Sequence, residues 1–445
     1  MFENIIEQGA AFQLRDDILA GRNAPSMLFF GPSGTGKGSA ALELARSLSC
    51  EADASWKCSC PSCERHRYLQ NDDLLALGSR SFSAEIAAAK SAFLRNPSAV
   101  SAKLLFFRSL RKLLIRFSPV LMEDDPKLGK FSSVLQSLDE GLSEFWTASA
   151  GTENQAALEK LCGSLVKDAL TLESEGLSAN IPIGQIRRAS YWCRLAPNGK
   201  RKTLIIENAE NMRDEARNSL LKLLEEPPAS VNIILTASRR EAVMPTILSR
   251  LRPYRFLKRS VESEKEVIRR IFQQDVLPDK ITEAGGSLIS AYLDSFLPQS
   301  AEKMHPLAAW FIVSLARIAA ISIKRNGAGE IPGFINALGE RYAPMAETSG
   351  LERSFKSADV VKTLLSQSGN FEDVSFSRFL KICLDLICAV ARSADNPQYI
   401  AYNDMFKKYI GEAATAVDVL NINTTIALEA LFYKLKTGMT RGRYG

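Results

Sequence analysis

The sequence predicts an α/β protein with a parallel sheet, extended by helical domains. Three observations lead to this prediction. An apolar strand runs into a glycine-rich loop within residues 27–37, short buried strands recur up to residue 256, and helical periodicity dominates beyond residue 260. A chain of 445 residues is too long for one ordinary core, so we expect two or three domains.

The composition is that of a globular protein, with 46% hydrophobic and 24% charged residues. Basic residues exceed acidic ones by 56 to 50, which is compatible with a position near nucleic acid but does not establish it. We expect no apolar run of membrane-spanning length, and the N-terminus MFENIIEQG lacks a signal-peptide pattern. The sequence therefore predicts a cytoplasmic protein without a membrane partner, whose eight cysteines are thiols or metal ligands.

A phosphate-binding pattern occupies residues 27–48. A short apolar strand ends in a glycine-rich loop, and a helical pattern starts at Lys37. The glycines let backbone N–H groups surround phosphate oxygens, the helix N-terminus adds its positive dipole end, and the lysine adds a charge. The candidate ligand-binding residues are Gly31, Ser33, Gly34, Thr35, Gly36, Lys37, Gly38 and Ser39.

One position departs from this pattern. The residue after the lysine is ordinarily Ser or Thr, whose hydroxyl holds Mg²⁺, and here it is Gly38. Ser39 comes one position late and points away from that place on the helix. We therefore expect a cradle that can take ATP or ADP beside a damaged magnesium site. The alternative is a glycine-rich turn that binds nothing.

A second buried strand, residues 203–206, leads to Glu207 at its carboxyl end, the edge of a parallel sheet where ligands bind. In P-loop ATPases an acid there holds Mg²⁺, and a further side chain orients the attacking water. Asn208 takes the next place, and an amide cannot accept a proton from water. The sequence predicts that Glu207 is a degenerate metal-holding acid and that hydrolysis is severely impaired.

Four cysteines lie close together after the P-loop helix. This density is typical of a structural zinc site, because four thiolates satisfy a tetrahedral ion and leave no position for water. His66 could replace one ligand, and reduced cysteines without a metal are the alternative. The predicted zinc module spans residues 50–63, with Cys50, Cys58, Cys60 and Cys63 as ligands.

Between residues 78 and 180 the pattern changes to Ala-, Leu-, Lys- and Glu-rich helical segments. We expect an inserted helical unit that packs independently. The basic run at residues 108–116 favours a solvated helix face, with contact to nucleic acid or a partner as the alternative. After residue 260, a small helical unit precedes a larger bundle that begins at residue 287.

The motif order resembles that of subunits of the bacterial DNA polymerase III clamp loader. The residues that carry it are GPSGTGKG, the four cysteines, IGQIRR, TLIIENAENM, NSLLKLLEEPP and TILSR. The resemblance implies an AAA+ domain over residues 1–260, a helical lid over 261–286 and an all-α collar over 287–445. It also implies a hetero-pentameric ring with other clamp-loader subunits, and the sliding clamp and primer–template DNA as partners.

In such a ring, the arginine of a Ser-Arg-Cys motif reaches the ATP of the neighbouring subunit. Ser249 and Arg250 match the first two positions, and Leu251 replaces the cysteine. The resemblance implies that Arg250 is an arginine finger that acts in trans, a role that suits a fixed charge with planar donors. A structural salt bridge is the alternative.

Two kinds of subunit in that family fit the sequence. The gamma/tau type hydrolyses ATP and keeps the P-loop Thr and an Asp-Glu pair, whereas the delta-prime type lacks competent catalysis but keeps the finger and the zinc module. Gly38, Glu207 and Asn208 favour the delta-prime type, a component of the holoenzyme with no independent ATPase. The alternatives are a gamma/tau-type ATPase and, more distantly, a zinc-containing P-loop scaffold unrelated to replication.

Overall fold

A computed structural model describes residues 1–123, 125, 128–147, 155–178, 180–278, 287–297, 300–325, 330–352, 356–368, 373–393, 396–418 and 422–440. The chain divides into two compact units, residues 1–297 and residues 298–445.

The first unit is built on a parallel sheet of five strands. They are β1 (Ser26–Phe30), β2 (Leu74–Gly78), β3 (Lys202–Glu207), β4 (Val231–Ala237) and β5 (Arg252–Arg255). Their order is β2-β3-β4-β1-β5, and all pairings are parallel. Parallel strands end at one edge, so the loop after β1 and the acid that ends β3 lie on the same edge.

Helices of the first unit cover both faces of this sheet and also pack among themselves beyond it. They are α1 (Gly9–Leu19), α2 (Lys37–Ser49), α3 (Pro61–Arg67), α4 (Ser83–Arg95), α5 (Val100–Leu114), α6 (Pro119–Met122), α7 (Leu128–Thr147), α8 (Gln155–Thr171), α9 (Ile183–Arg194), α10 (Asp214–Glu225), α11 (Pro245–Leu248), α12 (Val261–Phe272) and α13 (Leu288–Asp294). Leu14 and Leu44 share a core with Phe29 of β1, whereas Ile186 and Leu220 share another with Leu204 of β3. With both faces covered, β1 to β4 are buried along nearly their whole length.

Helices α4 to α8 enclose a hydrophobic core of their own. At its centre, the ring of Phe145 packs edge-to-face on Phe93 at 4.9 Å and on Phe106 at 5.3 Å between ring centroids. Helix α5 continues into a 3₁₀ turn, Ile115–Phe117, and Ile115 packs against the sheet core that includes Ala76 of β2. This turn is therefore where the helical segment meets the sheet.

The helices α12 and α13 pack together within the first unit. The carboxylate of Glu264 accepts a hydrogen bond from Ser287 Oγ at 2.8 Å and another from the backbone N–H of Leu288 at 2.5 Å. This carboxylate satisfies donors at the start of α13 and fastens that helix to α12. The sequence pattern placed residue 287 at the start of the C-terminal bundle, whereas α13 belongs to the first unit. Residues 279–286 of the predicted lid lie outside the described residues.

All the regular secondary structure among the described residues of the second unit is helical. Its helices are α14 (Ser300–Arg325), α15 (Gly333–Glu347), α16 (Ser357–Ser368), α17 (Asp373–Ala391), α18 (Pro397–Asp418) and α19 (Thr424–Thr440). The ring of Phe311 packs edge-to-face on Phe379 at 5.5 Å and on Phe432 at 5.7 Å, which joins three helices in one core.

Helix α14 departs from an expectation of the sequence. By length and composition alone, Met304–Arg325 is apolar enough to cross a membrane, so the expectation that no run reaches that length is wrong. In the second unit, 72% of its most apolar stretch is buried. A core helix of a globular domain has this same property.

Candidate phosphate site and cysteine cluster

The glycine-rich loop joins β1 to α2, where the sequence pattern placed it. Gly36 is the N-cap of α2 with a φ of 91°, a left-handed conformation that favours glycine. Gly31 lies against the residue that follows β5, since a Cβ at this position would stand 2.0 Å from the carbonyl oxygen of Phe256. Thr35 is buried, and its hydroxyl donates to the carbonyl of Pro32 at 2.8 Å. The loop thus has the shape of a phosphate cradle at a helix N-terminus.

Lys37 is folded back onto this loop. Its Nζ donates to the carbonyls of Gly31 at 2.6 Å and Pro32 at 2.7 Å. Burial lowers the pKa of Lys37 to about 8, although Glu210 and Glu207 act in the opposite direction. The two carbonyls that accept from Lys37 are neutral, and a hydrogen bond from its ammonium group to an anion is stronger than one to a carbonyl. A phosphate that entered the loop could therefore displace them.

A second cation, Arg259, also contacts the loop. It is 9% exposed, its Nη1 donates to the carbonyl of Gly34 at 2.5 Å, and its Nε donates to the carbonyl of Ile6 at 3.2 Å. Sequence reasoning did not select Arg259, because its contact depends on β5 pairing beside β1.

The acid at the end of β3 is buried and neutralised. Glu207 is 8% exposed, and its Oε2 forms an ion pair with Nη2 of Arg116. Nε of Arg80 lies 3.8 Å from the same oxygen. A Cβ at Gly38 would lie 2.7 Å from Glu207 Oε1, so the carboxylate packs directly against the position that ordinarily carries the hydroxyl. Mg²⁺ needs several oxygen ligands in near-ideal octahedral geometry. These residues do not fit Mg²⁺, because they offer one carboxylate that two guanidinium groups already face.

The residue after this acid has an amide where a water-polarising carboxylate is expected. Asn208 adopts a left-handed conformation with a φ of 53°. Its Nδ2 donates to the carbonyl of Ser79 at 3.2 Å, and its backbone N–H donates to Thr236 Oγ1 at 3.2 Å. The side-chain amide of Asn208 links the ends of β2 and β3. It has no basic atom that could accept a proton from a catalytic water.

The structure does not bring Arg250 to the P-loop of its own chain. Its Nη2 forms an ion pair with Oε1 of Glu225 on α10 at 2.8 Å, and its Nη1 donates to the carbonyl of Thr246 at 2.6 Å. The side chain remains 33% exposed and Glu225 50% exposed. Exposed pairs of this kind contribute little to stability, so Arg250 can exchange its partner at low cost.

The four predicted metal ligands come together. The Sγ atoms of Cys50, Cys58, Cys60 and Cys63 all lie within 4.8 Å of one another. Cys50 Sγ is 3.6 Å from Cys58 Sγ and 3.8 Å from Cys60 Sγ. A tetrahedral ion with metal–sulfur bonds of about 2.3 Å separates its sulfur ligands by roughly 3.8 Å, whereas a disulfide brings them to about 2.05 Å. The cluster therefore fits a metal ion such as zinc.

Further contacts stabilise this cluster. Backbone N–H groups of Ala52 and Ala54 donate to Cys50 Sγ at 3.3 and 3.2 Å. Arg46 on α2 is buried, donates to Cys63 Sγ at 2.9 Å, and pairs with Glu43 at 2.8 Å. Sequence reasoning missed this arginine, which links the cluster to the P-loop helix.

His66 is not one of the clustered ligands. It lies buried on α3, and burial together with nearby arginines, Arg46 first among them, lowers its pKa to about 3. The structure groups the four cysteines and leaves this neutral imidazole outside.

A parallel sheet with a glycine-rich loop of the P-loop pattern after β1 and an acid at the end of β3 is the arrangement of an α/β protein of the P-loop class. Comparison with known families is more specific, since residues 6–105 and 149–260 match the family described as DNA polymerase III, delta subunit. Over these two ranges, just under half of the chain, the sequence is similar to subunits of the DNA polymerase III clamp loader. The unmatched residues between these ranges include Arg116 and most of α5.

A curated relative is DNA polymerase III subunit delta' of Pseudomonas aeruginosa strain PAO1, which is 29% identical over 174 residues. That alignment covers 37% of this chain and 51% of the relative, so the chain spans about half the length of that protein. A solved structure of a DNA polymerase III gamma subunit-related protein from Thermotoga maritima is 17% identical, with 58% of this chain and 80% of that chain covered. Its TM-score of 0.28 is too low to define a fold.

Proposed function

We propose that this chain is a delta-prime-type subunit of the clamp loader, which helps to load the sliding clamp onto primed DNA during replication. The observation that carries the proposal is that the carboxylate of Glu207 pairs with Arg116 and lies against Gly38. A P-loop ATPase needs that carboxylate, and a hydroxyl at the position of Gly38, to hold Mg²⁺. The family match and the delta' relative support the replication context.

The same residues weigh against the gamma/tau alternative. Hydrolysis needs a group that orients and activates the attacking water, and the amide of Asn208 is engaged with the carbonyl of Ser79. Lys37 and the loop amides remain able to hold ATP or ADP as a structural ligand. The proposed chain is therefore a passive AAA+ member of the ring in the cytoplasm, with its finger directed at a neighbour.

The proposed partners are the other clamp-loader subunits in a hetero-pentameric ring, the sliding clamp and primer–template DNA. Support for a trans role comes from Arg250, which is partly exposed and held only by a surface ion pair. In this proposal the second unit, residues 298–445, is the collar, residues 1–260 form the AAA+ domain, and α12 begins the lid.

The isolated chain is expected to hydrolyse ATP at roughly 10⁻³ s⁻¹ or slower, a rate typical of P-loop proteins without their catalytic arginine. The measurement is phosphate release by the purified full chain, with Lys37→Ala as the background control. Faster turnover that Lys37→Ala abolishes would contradict the proposal and favour the gamma/tau type.

Assembly with the other clamp-loader subunits distinguishes the proposed function from the alternative of a scaffold unrelated to replication. The purified chain is expected to enter a complex with the other clamp-loader subunits on size exclusion, and this complex is expected to bind the sliding clamp. A chain that stays alone in this mixture would support the zinc-containing P-loop scaffold instead.

We also infer that the cysteine cluster holds one structural zinc ion. Cys63→Ser is expected to reduce the zinc content from about one ion per chain to near zero and to make residues 50–63 sensitive to protease, since structural zinc supplies local folding energy. Metal analysis of the purified protein measures this. The matched control is Cys388→Ser in α17, whose thiol donates to Asn403 Oδ1 at 3.2 Å, far in sequence from the cluster. Full zinc content in Cys63→Ser would contradict the assignment.

A further inference from the structure

Three basic side chains line a cavity beside α2, the helix that follows the glycine-rich loop. Arg80 follows β2, Lys112 lies on α5, and Arg116 lies on the 3₁₀ turn after α5. They share this cavity with Gly38 and Glu207, which are the two positions of a P-loop site that ordinarily hold Mg²⁺. The cavity therefore lies at the positions that hold Mg²⁺ in other P-loop sites.

Two of these cations, Arg80 and Lys112, pair with an acid other than Glu207. Lys112 and Arg80 both form ion pairs with Glu85, and, against the effect of burial, they lower the pKa of that carboxyl to about 2. Arg80 also stacks on the ring of Phe82, 4.7 Å from its centroid. Its Nε faces Glu207 only at 3.8 Å. Arg80 and Lys112 thus fix one wall of the cavity.

Of these three cations, Arg116 has the most unpaired buried donor atoms within the described part of the chain, two against one, Nε, in Arg80. Arg116 is 5% exposed, and its Nη2 pairs with Glu207. Its Nε and Nη1 are buried and have no hydrogen-bond partner among the described residues. The guanidinium lies 5.5 Å from the ring centroid of Phe82, a contact that helps to fix its orientation. Buried charged donors are costly to leave unpaired, so this geometry points to an oxygen acceptor that enters the cavity.

We propose that Arg116 takes the place of the divalent cation, with one N–H group on Glu207 and the others on an oxygen of a bound polyphosphate. This rests on the proposed phosphate cradle. A planar guanidinium suits both tasks, because its donors match carboxylate and phosphate geometry and its charge is fixed. The cation comes from residues that the family match does not include, since Arg116 lies between the two matched ranges. Polyphosphate binding by this chain then needs no metal ion.

The test is calorimetric titration of the full chain with ADP, once in MgCl₂ and once in EDTA. The affinity of the unaltered chain is expected to agree within about twofold between the two buffers, since no metal is part of the site. A decrease of tenfold or more in EDTA would overturn the proposal. Absence of ADP binding in both buffers would overturn it as well.

Variants assign the effect to the guanidinium. In EDTA, Arg116→Met is expected to bind ADP at least tenfold more weakly than the unaltered chain. Arg111→Met is expected to bind ADP as tightly as the unaltered chain does. Arg111 is a matched control, because it lies on α5 five positions before Arg116, pairs with Asp139 at 3.1 Å and does not line the cavity. The double variant Arg116→Met with Glu207→Gln leaves no charge of this pair buried and is expected to show the same loss.

An Arg116→Met chain that binds ADP as tightly as the unaltered chain would overturn the proposal, provided circular dichroism shows it to be folded. If Arg116→Met does not fold, the double variant decides in the same way. Entry into the clamp-loader complex is scored separately. A metal-dependent site in a chain that still assembles would refute this inference alone, and failure to assemble would refute the proposed function.

Discussion

Arg250→Ala is expected to lower clamp- and DNA-stimulated ATP hydrolysis at the neighbouring site of a reconstituted clamp-loader ring by about 10³-fold or more, the effect of removing an arginine finger. The physical reason is the loss of a fixed positive charge that stabilises developing charge on the transferred phosphoryl group. The measurement is single-turnover hydrolysis by a ring that contains the variant. Folding is expected to be unaffected, because Arg250 is partly exposed and its ion pair lies at the surface.

The structure offers a matched control for this experiment. Glu225→Gln removes the partner that holds Arg250 within its own chain, at a distance of 2.8 Å, and leaves the arginine in place. If Arg250 acts in trans, hydrolysis by the ring is expected to stay the same or rise. An unchanged rate in Arg250→Ala would contradict the finger. Equal losses in both variants would show that the ion pair itself supports activity, which is the structural alternative.

Much of the fold could be predicted because its signals are local. The strand over residues 231–237 appears as a buried apolar run after Pro227 and Pro228, and β4 has those bounds. The loop between β1 and α2 follows from glycine spacing, and the cysteine cluster follows from the density of thiols within one short segment. Each of these features is encoded by neighbouring residues.

The electrostatics of the site could not be predicted in the same way. The basic run at residues 108–116 favours a solvated helix face, and this prediction is wrong for Arg116, which is 5% exposed. Its partner Glu207 is 91 positions away, and the two meet only because Ile115 packs against the sheet. Likewise, Arg259 reaches Gly34 because β5 lies beside β1. Such contacts depend on how segments pack, and residue spacing does not reveal them.

Arg116→Met is expected to destabilise the first unit by about 3 kcal/mol, because it leaves the buried carboxylate of Glu207 without its closest cation. Glu207→Gln alone is expected to cost a similar amount, since it leaves the guanidinium buried without its partner acid. The double variant removes both charges and is expected to cost about 1 kcal/mol or less, as is common when a whole buried pair is replaced. Hydrogen exchange of the backbone amides of β3 measures these free energies within the full chain.

The decisive quantity is the coupling between the two substitutions, which is expected to be several kcal/mol because the groups are in contact. Arg111→Met calibrates the measurement, since its partner Asp139 is 62% exposed and such a pair contributes at most about 1 kcal/mol. If the effects of Arg116→Met and Glu207→Gln simply add, the two groups do not interact in solution. In that case the carboxylate is free to bind a metal ion, and the helical segment has no role at the phosphate site.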